Sequence, residues 1–399
     1  MSKSNKCQKD YDYIVVGAGS AGCAFAGRLI SLLPSVRIAL IEPGKDYLSP
    51  NKEDMARNDP KGHFRSPEYY PSLWAGAANR GYRTVPQGAL NDRQLSVARA
   101  SGVGGCSVIN AMIWKRGFRE DWDGNMPPTF QGNAVEPEFN WLEERIQPRI
   151  YQANNMGECG MKAAHSLGYD KAKDDSFWSS PGTYNKMRCS ITKEGQRQDM
   201  YRALGANDDK IHLVQGDAER IIFEFDDTQT KEGKGTPTAK GVMIRRSDGS
   251  VESLYTIDRG DRVGEVIVCC GAIDTPKLLQ LSGVGPAKLL EGLDIPVIVD
   301  NPSVGEGLKD HVMHVMSYEA STLPDKPSPI TFNSSLYDEA LDIEFLFSDG
   351  NCMPSFACYG IMEQYNEKVP PTNLIGKIGD FFSCLGSMAL VKTLSTLMD

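Results

Sequence analysis

The chain has 399 residues, a formal charge of −9 and a 40% share of hydrophobic residues. This length allows a large core and two lobes, and the composition is typical of a globular protein. The acidic balance argues against a nucleic-acid partner, because the phosphates of DNA or RNA would be repelled. No apolar run approaches the ~18 residues of a membrane span, and the polar tail at residues 1–10 lacks the apolar core of a secretory signal. We therefore expect an intracellular, cytoplasmic protein.

The 10 cysteines show no C-x-x-C or zinc spacing, which indicates reduced thiols and no metal site.

Residues 11–42 carry the pattern of a β-α-β unit that binds a dinucleotide. An apolar segment leads into a G-x-G-x-x-G motif made of Gly17, Ala18, Gly19, Ser20, Ala21 and Gly22. A helix is predicted from Ala21 to Leu33, where Pro34 stops it, and a second strand is predicted over 38–41. The three glycines allow a tight turn, a close approach of pyrophosphate to the backbone, and close packing of helix on sheet. The diphosphate would meet the free N–H groups at the positive end of the helix. Glu42 lies where a carboxylate accepts from ribose hydroxyls, and the pattern leaves NAD and FAD open.

Two glycine-containing stretches follow this unit. Residues 43–98 predict a long ordered excursion or lid, because the aromatic residues Phe64, Tyr69, Tyr70 and Trp74 need burial. The loop Gly102–Gly105 then offers a second place where backbone can approach a flat or charged ligand. A surface turn is the alternative, and the inward-facing pattern of residues 110–112 favours the ligand-binding interpretation.

Beyond residue 118 the pattern predicts helices at 141–151 and 161–167. Strands are predicted at 211–214, 220–225 and 241–244, as a meander with a polar hairpin tip or insertion at 226–237. The near-continuous apolar run at 263–270 predicts a buried strand. It leads into a strand-to-helix turn of small residues at 271–276, and residues 341–347 are again strand-like.

Four motifs in this order resemble the glucose–methanol–choline (GMC) oxidoreductases, which are FAD-dependent. Besides the opening glycine motif, the first family signature matches residues 104–107, 110–112 and 116–117. The second signature matches residues 271–286, and a third block matches residues 304–311. The loop before Gly104 departs from the family pattern, because a lysine is missing and a glycine has moved to Gly102.

The resemblance implies an α/β fold with two domains. The first is a Rossmann-like FAD-binding domain, a parallel sheet with three-layer ββα features, formed by residues 11–117 and 200–311. The second is an incomplete α+β substrate or cap domain with an antiparallel sheet, formed by residues 118–199 and 312–399.

The resemblance also implies FAD as the cofactor. Gly17, Gly19 and Gly22 would hold its diphosphate and Glu42 its adenosine ribose. The isoalloxazine side would be lined by Gly104, Gly105, Asn110, Ala111 and Met112. The backbone of Ala218 would meet the adenine, and Gly271 with Ala272 would approach the diphosphate and the ribityl chain. Some members bind flavin covalently through a histidine where this chain has Ile109, so the FAD is expected to be non-covalent.

Family chemistry moves a hydride from an alcohol to the flavin, with a histidine base from a C-terminal block. That block is not found before Asp399, and no catalytic residue is assigned. The five histidines, His63, His165, His212, His311 and His314, are interpreted as structural or surface residues. We expect a truncated member that lacks ~150–200 residues of the domain pair, acts weakly or not at all on an alcohol substrate alone, and has an incomplete edge that a partner chain or oligomer covers.

Two alternatives remain open. A structural or interaction pseudoenzyme, like the GMC proteins that coat giant-virus particles, would keep the FAD-binding fold without the activity. A nicotinamide dehydrogenase fits only the opening motif.

Overall fold

The structure is a computed structural model that describes residues 10–150, 155–173, 177–225, 235–259 and 263–310, together with four short strands beyond them. Within these ranges the α-helices are α1 Ser20–Leu32, α2 Lys52–Asn58, α3 Tyr70–Leu73, α4 Arg119–Asn125, α5 Gly132–Ile146, α6 Asn155–Ser166, α7 Met200–Ala203, α8 Gly271–Leu281 and α9 Ala287–Glu291. Short 3-10 turns cover Pro67–Tyr69, Gly88–Leu90, Gly105–Val108 and Pro128–Phe130.

A four-stranded parallel sheet forms the centre of the first lobe. Its strands lie in the order Ile211–Gln215, Ile38–Glu42, Tyr13–Val16 and Glu265–Val268. Between the two middle strands runs α1, which begins after Gly19 and ends before Pro34, a residue that cannot donate to the helix ladder. This strand–helix–strand unit confirms the predicted one.

The side chains of the parallel sheet alternate between two cores, because successive strand residues point to opposite faces. Val15, Ile38 and Leu40 pack with α1 and α5 on one face. Ile14 and Ile41 pack on the other face against a second sheet and α8. Burial of each such side chain contributes about 1.5–3 kcal/mol. The two cores give the three-layer α/β arrangement that was expected.

The second sheet is the predicted meander. Asp217–Phe225, Pro237–Arg245 and Val251–Thr256 run antiparallel, and Asp10–Tyr11 adds a parallel strand at one side. The hairpin tip expected at 226–237 lies mostly outside the described residues. In the pairing of the first two strands of the meander, the register shifts between Ala218 and Arg220 and again between Ile222 and Phe223.

The excursion at residues 43–98 is ordered and packs on the first signature. Tyr47, Phe64 and Leu73 form a core with Val108 and Ile109. Phe64 and Tyr70 are buried as expected, whereas Tyr69 is 40% exposed and stacks on His63 at the surface. The excursion also contains a short hairpin, Tyr82–Arg83 with Ser96–Val97.

The remaining strands form smaller sheets. Ile113–Trp114, Arg188–Cys189 and Arg149–Ile150 pair antiparallel. An outer sheet has the order Ile343–Phe347, Ser334–Asp338, Thr183–Lys186 and Asp170–Lys171, which confirms the strand expected at 341–347. This sheet pairs strands from residues 118–199 with strands from residues 312–399, the two ranges assigned to the substrate domain. The domain boundaries themselves stay predictions. Two further sheets have two strands each: Val284–Gly285 pairs with Val299–Asp300, and Glu319–Ala320 pairs with Ala389–Leu390.

Three predicted elements need correction. The helix expected at 141–151 is α5, which begins at Gly132 and ends at Ile146 because Gln147 takes a left-handed conformation with φ 48°. The helix expected at 161–167 is α6, which begins earlier, at Asn155. The strand expected to be buried at 263–270 spans Glu265–Val268 and is only partly buried, since it pairs with Tyr13–Val16 on one side and with no described strand on the other.

None of the helices in the described part of the chain is long and apolar enough to cross a membrane.

Candidate dinucleotide-binding site

The predicted glycine motif lies at the carboxyl end of the parallel sheet. Gly17 follows the strand Tyr13–Val16, Glu42 ends the neighbouring strand, and Cys269 follows Glu265–Val268 on the other side. Ligands of open parallel sheets bind in the crevice outside these strand ends. We call this place, between the start of α1 and the start of α8, the cradle.

Two glycines of the motif are required by the fold itself. Gly17 has φ 101°, and a Cβ there would lie 2.5 Å from the Cys269 carbonyl oxygen. A Cβ at Gly22 would lie 1.9 Å from the Gly17 carbonyl oxygen, so α1 could not approach the turn. The turn is completed by the amide of Gly17, which donates to the Ile41 carbonyl at 2.8 Å.

Gly19 differs from these two glycines. Its backbone is extended, with φ −78° and ψ −174°, which any residue can adopt. A Cβ at Gly19 would meet only the Gly105 Cα, at an ordinary contact distance of 3.9 Å. No described part of the protein requires a glycine here, so the absent side chain leaves space in front of α1, at Ser20 and Ala21, for a ligand outside the fold.

The second glycine loop packs directly on the first. The Gly104 amide donates to the Ala18 carbonyl at 2.8 Å, and Gly104 and Gly105 have φ 96° and φ 57°. A Cβ at Gly105 would lie 2.5 Å from the Gly19 Cα. The two loops, distant in sequence, therefore form one wall of the cradle, which goes against the surface-turn alternative.

Glu42 is buried at the floor of the cradle. Its carboxylate accepts from the amides of Ala18 at 3.2 Å and Gly44 at 2.9 Å. Burial raises the pKa of Glu42 to about 7, although these backbone donors and the more distant Arg80 act in the opposite direction. A ligand hydroxyl that donates to this carboxylate would favour its ionised form.

Asn110 and Met112 are fixed by a buried arginine. Arg197 donates through Nη1 to the carbonyls of Ser107 at 3.1 Å and Asn110 at 2.7 Å, and to Asn110 Oδ1 at 2.9 Å. The same Oδ1 accepts from the Met112 amide at 3.1 Å, and Met112 is fully buried with φ 60°. Ala111 between them is half-buried. Burial lowers the pKa of Arg197 to about 9, because its acceptors are neutral groups.

The remaining predicted residues border the same crevice. Gly271, with φ 83°, and Ala272 begin α8 and are both exposed. Ala218 lies two residues after Gly216, whose amide donates to the Glu42 carbonyl at 3.1 Å. Ile109 is buried in the core under the excursion, and its carbonyl accepts from Trp74 Nε1 at 3.1 Å.

Some residues at the cradle were missed by sequence reasoning. Arg197 belongs to no motif. The sequence pointed to it only as a charged residue between a strand and a helix. Asp274 in the first turn of α8 accepts from the Tyr82 hydroxyl at 2.5 Å and pairs with Arg80 at 3.2 Å. Tyr82 and Asp274 are 192 residues apart, so no local pattern could join them.

The histidines that the structure describes have aromatic neighbours. His63 stacks on Tyr69, and His165 on α6 meets Tyr184 edge to face. His212 lies in the first half of its strand, where its Nδ1 is 3.4 Å from the Tyr11 hydroxyl. His311 and His314 lie outside the described residues. In the described ranges there is also no group of three or more His, Cys, Asp or Glu side chains that could hold a metal ion.

A parallel sheet with crossover helix, two interlocked glycine loops and a buried acid at the strand end define an α/β dinucleotide-binding protein. The family model for GMC oxidoreductases matches residues 11–313. The chain belongs to the GMC oxidoreductase family.

Relatives agree with this assignment, and solved structures share the fold. An oxygen-dependent choline dehydrogenase of Pseudomonas fluorescens is 32% identical over 362 residues, which are 85% of this chain and 59% of the relative. The chain thus spans about three fifths of that relative's length. Pyridoxine 4-oxidase from Mesorbium loti has a TM-score of 0.68 at 21% identity, over 83% of this chain and 63% of that one. An FAD-dependent oxidoreductase from Chaetomium thermophilum has a TM-score of 0.57 at 25% identity, over 73% and 51%.

Proposed function

We propose that the chain binds FAD non-covalently and forms the cofactor-binding part of an oxidoreductase that acts on an alcohol. The observation that carries the proposal is the space at Gly19, beside the free N–H groups of α1 and against the Gly104–Gly105 loop. A diphosphate fits there, because it can approach the backbone closely and accept from the helix N-terminus. The relatives named for choline, an amino alcohol, and for FAD support the choice of substrate class and cofactor.

The cradle residues receive distinct roles in this proposal. Gly17, Ala18, Gly19, Ser20, Ala21 and Gly22 hold the diphosphate, and the Glu42 carboxylate accepts from the adenosine ribose. The segment Asn110–Met112, fixed by Arg197, lines the isoalloxazine with Gly104 and Gly105. Ala218 meets the adenine through its backbone, and Gly271 and Ala272 approach the diphosphate from α8.

Bound FAD would supply the acceptor for a hydride from the alcohol carbon. The chain's part is to bind and orient it, and to keep water from its buried face through the packed side chains of Val108, Ile109 and Met112. A general base must lie within hydrogen-bond reach of the substrate hydroxyl. His63, His165 and His212 have other surroundings, so we propose that this chain alone oxidises alcohols weakly or not at all.

We further propose that a partner chain or a second copy covers the free edge of Glu265–Val268. On the described residues this strand has one paired side only. The apolar side chain of Val263, two residues before the strand, is 62% exposed. An unpaired edge beside apolar surface is a site where another strand can add.

Titration of the apo-protein with FAD, followed by flavin fluorescence and the visible spectrum, tests cofactor binding. Gly19→Ala should weaken FAD affinity at least ~10-fold, because a Cβ would enter the space left for the diphosphate. It should change the free energy of unfolding by less than ~1 kcal/mol, since its backbone angles suit alanine. Gly22→Ala is the contrasting variant, and it should prevent folding because of the clash with the Gly17 carbonyl.

Anaerobic mixing of the FAD-loaded protein with a panel of alcohols separates the enzyme from a structural role. Slow or absent bleaching of the flavin is expected for the chain alone. Rapid bleaching at substrate-like concentrations would contradict the inactive assignment. A colourless protein that cannot be reconstituted with FAD would overturn the cofactor proposal and favour a flavin-free structural protein.

A further inference from the structure

Arg80 is a cation that the excursion at residues 43–98 places over the cradle. Its amide donates to the Arg99 carbonyl at 2.8 Å, and its neighbour Asn79 bridges to Ala100. Gly102, two residues after Ala100, packs closely on Gly44, because a Cβ at Gly44 would lie 2.2 Å from the Gly102 amide nitrogen. Gly44 lies two residues after Glu42, which forms the floor of the cradle. Backbone contacts therefore fix Arg80 relative to the end of the strand Ile38–Glu42.

On its other side Arg80 reaches the start of α8. Its Nε lies 3.2 Å from Asp274 Oδ2, and the Tyr82 hydroxyl donates to the same oxygen at 2.5 Å. Asp274 is in the first turn of α8, next to Gly271 and Ala272. The guanidinium thus lies between the Glu42 side and the α8 side of the crevice. Burial raises the pKa of Glu42, and the positive charge of Arg80 acts against that rise.

The ion pair leaves much of the Arg80 guanidinium available. The shortest contact of this pair joins Nε to Asp274 Oδ2, and no hydrogen bond to Nη1 or Nη2 is formed by the part of the chain that the structure describes. The side chain is 30% exposed. On the acid, Asp274 Oδ1 is buried and has no hydrogen-bond partner among the described residues. The cluster therefore holds the arginine through Asp274 and leaves the N–H groups of Nη1 and Nη2 without a hydrogen bond among the described residues.

A bound diphosphate would be stabilised by a guanidinium in this position. The starts of α1 and α8 supply partial positive charge and backbone N–H donors, but a doubly charged anion beside Glu42 and Asp274 also gains from a full cation. A guanidinium matches two phosphate oxygens through two parallel N–H donors. Two N–H-bearing nitrogens of Arg80 remain for this contact.

We propose that Arg80 binds the diphosphate of the dinucleotide and that Asp274 and Tyr82 are positioning residues that aim its guanidinium into the cradle. The inference rests on the proposed FAD binding and adds a binding residue outside the glycine motifs. It makes the excursion part of the cofactor site.

Calorimetric titrations with FAD, ADP and adenosine test the inference on the full chain. Arg80→Ala should weaken FAD and ADP binding by about 10–100-fold, the usual worth of a charged hydrogen-bonded contact, and leave adenosine binding within twofold. Arg80→Lys should restore part of the affinity, because the charge remains while the paired donors are lost. The salt dependence of ADP binding should become shallower in Arg80→Ala.

Arg119→Ala is the matched control, because Arg119 has a similarly exposed side chain, at 32%, in an ion pair outside the cradle. It should leave all three affinities unchanged. Circular dichroism reports folding of each variant, and Arg80→Lys carries the test if Arg80→Ala does not fold. Equal loss for ADP and adenosine, or no loss for either, would overturn the role of Arg80. If the wild-type chain binds neither FAD nor ADP, the proposed function itself fails, which is a different result.

Discussion

Glu42 shows how burial changes the chemistry of one side chain. The motif predicts an acid at the strand end, where it can accept from a ribose. In the fold, that acid is enclosed by the two glycine loops and accepts from Ala18 and Gly44. Its pKa, ordinarily 4.5, rises to about 7 because desolvation outweighs these donors. The residue is therefore placed to titrate in the neutral pH range.

This shift predicts a pH dependence of folding for the apo-protein. A carboxyl whose pKa is higher in the folded state holds its proton more tightly there, so its contribution to stability is present below pH ~4.5 and is lost as pH rises to about 7. The loss is on the order of 3 kcal/mol. Urea unfolding from pH 4.5 to 8 should show a flatter profile for Glu42→Gln than for the wild type.

The control for this prediction is Glu265→Gln, on the exposed edge strand of the same sheet. It should keep the wild-type profile. FAD affinity provides a second readout, since a ribose hydroxyl favours the ionised carboxylate and affinity should rise between pH 6 and 8 in the wild type only. Parallel stability profiles for wild type and Glu42→Gln would show that Glu42 does not titrate in this range.

At the scale of elements, a buried ion pair attaches α5 to the strand Ile113–Trp114. Arg116 follows this strand, and its Nη2 lies 2.5 Å from Glu143 Oε2 while Trp114 Nε1 donates to Glu143 Oε1 at 3.1 Å. Both charged side chains are nearly inaccessible to water. Aromatic rings of Phe139, Phe177 and Trp178 surround the guanidinium. The helix is thereby fixed against the first family signature.

Removal of Glu143 should be costly because Arg116 stays buried and keeps only the longer contact, at 3.4 Å, with the more exposed Glu136. We expect Glu143→Ala to lower the free energy of unfolding by about 3–5 kcal/mol, measured by urea denaturation. Glu138→Ala on the same helix is the control: Glu138 pairs with Arg28 at the surface, where such pairs contribute about 0–1 kcal/mol. Similar losses in the two variants would mean that burial does not set the strength of the Arg116 pair.

The elements also show where local patterns mislead. Residues 132–137 contain Gly132 and Pro137, both poor in a helix interior, so the sequence predicted a helix only from 141. The first half of α5 is held by contacts with other elements: the Gly132 amide donates to Asp123 at 2.8 Å, and Glu136 pairs with Arg116 at 3.4 Å. For α1 no such conflict exists, and its predicted bounds agree with the structure to within one residue.

At the scale of the whole molecule, the edge strand Glu265–Val268 and the exposed Val263 beside it predict association. We expect the purified chain to form oligomers or to aggregate, because an unpaired edge and apolar side chains can add to another chain. Val263→Lys should reduce this association, because a charge beside an edge opposes strand pairing. Small-angle scattering over a concentration series measures the mass of each variant.

The control for association is Val85→Lys, which changes a valine that is 74% exposed on the excursion and belongs to no strand. It should associate like the wild type. A compact monomer at all concentrations for the wild type would contradict the prediction and the proposed cover of the edge.

The sequence by itself determined the α/β class, the strand–helix–strand unit with its glycine motif, the meander and the family, because these depend on residue periodicity and on glycine and proline geometry within short segments. Only the tertiary structure decided that Gly104 and Gly105 pack on Gly19, and that Arg197 fixes Asn110. It also decided that Arg80 meets Asp274 and that Glu265–Val268 lies at an edge. These contacts join residues far apart in the chain, and their energies depend on burial and on opposing charges that no local pattern contains.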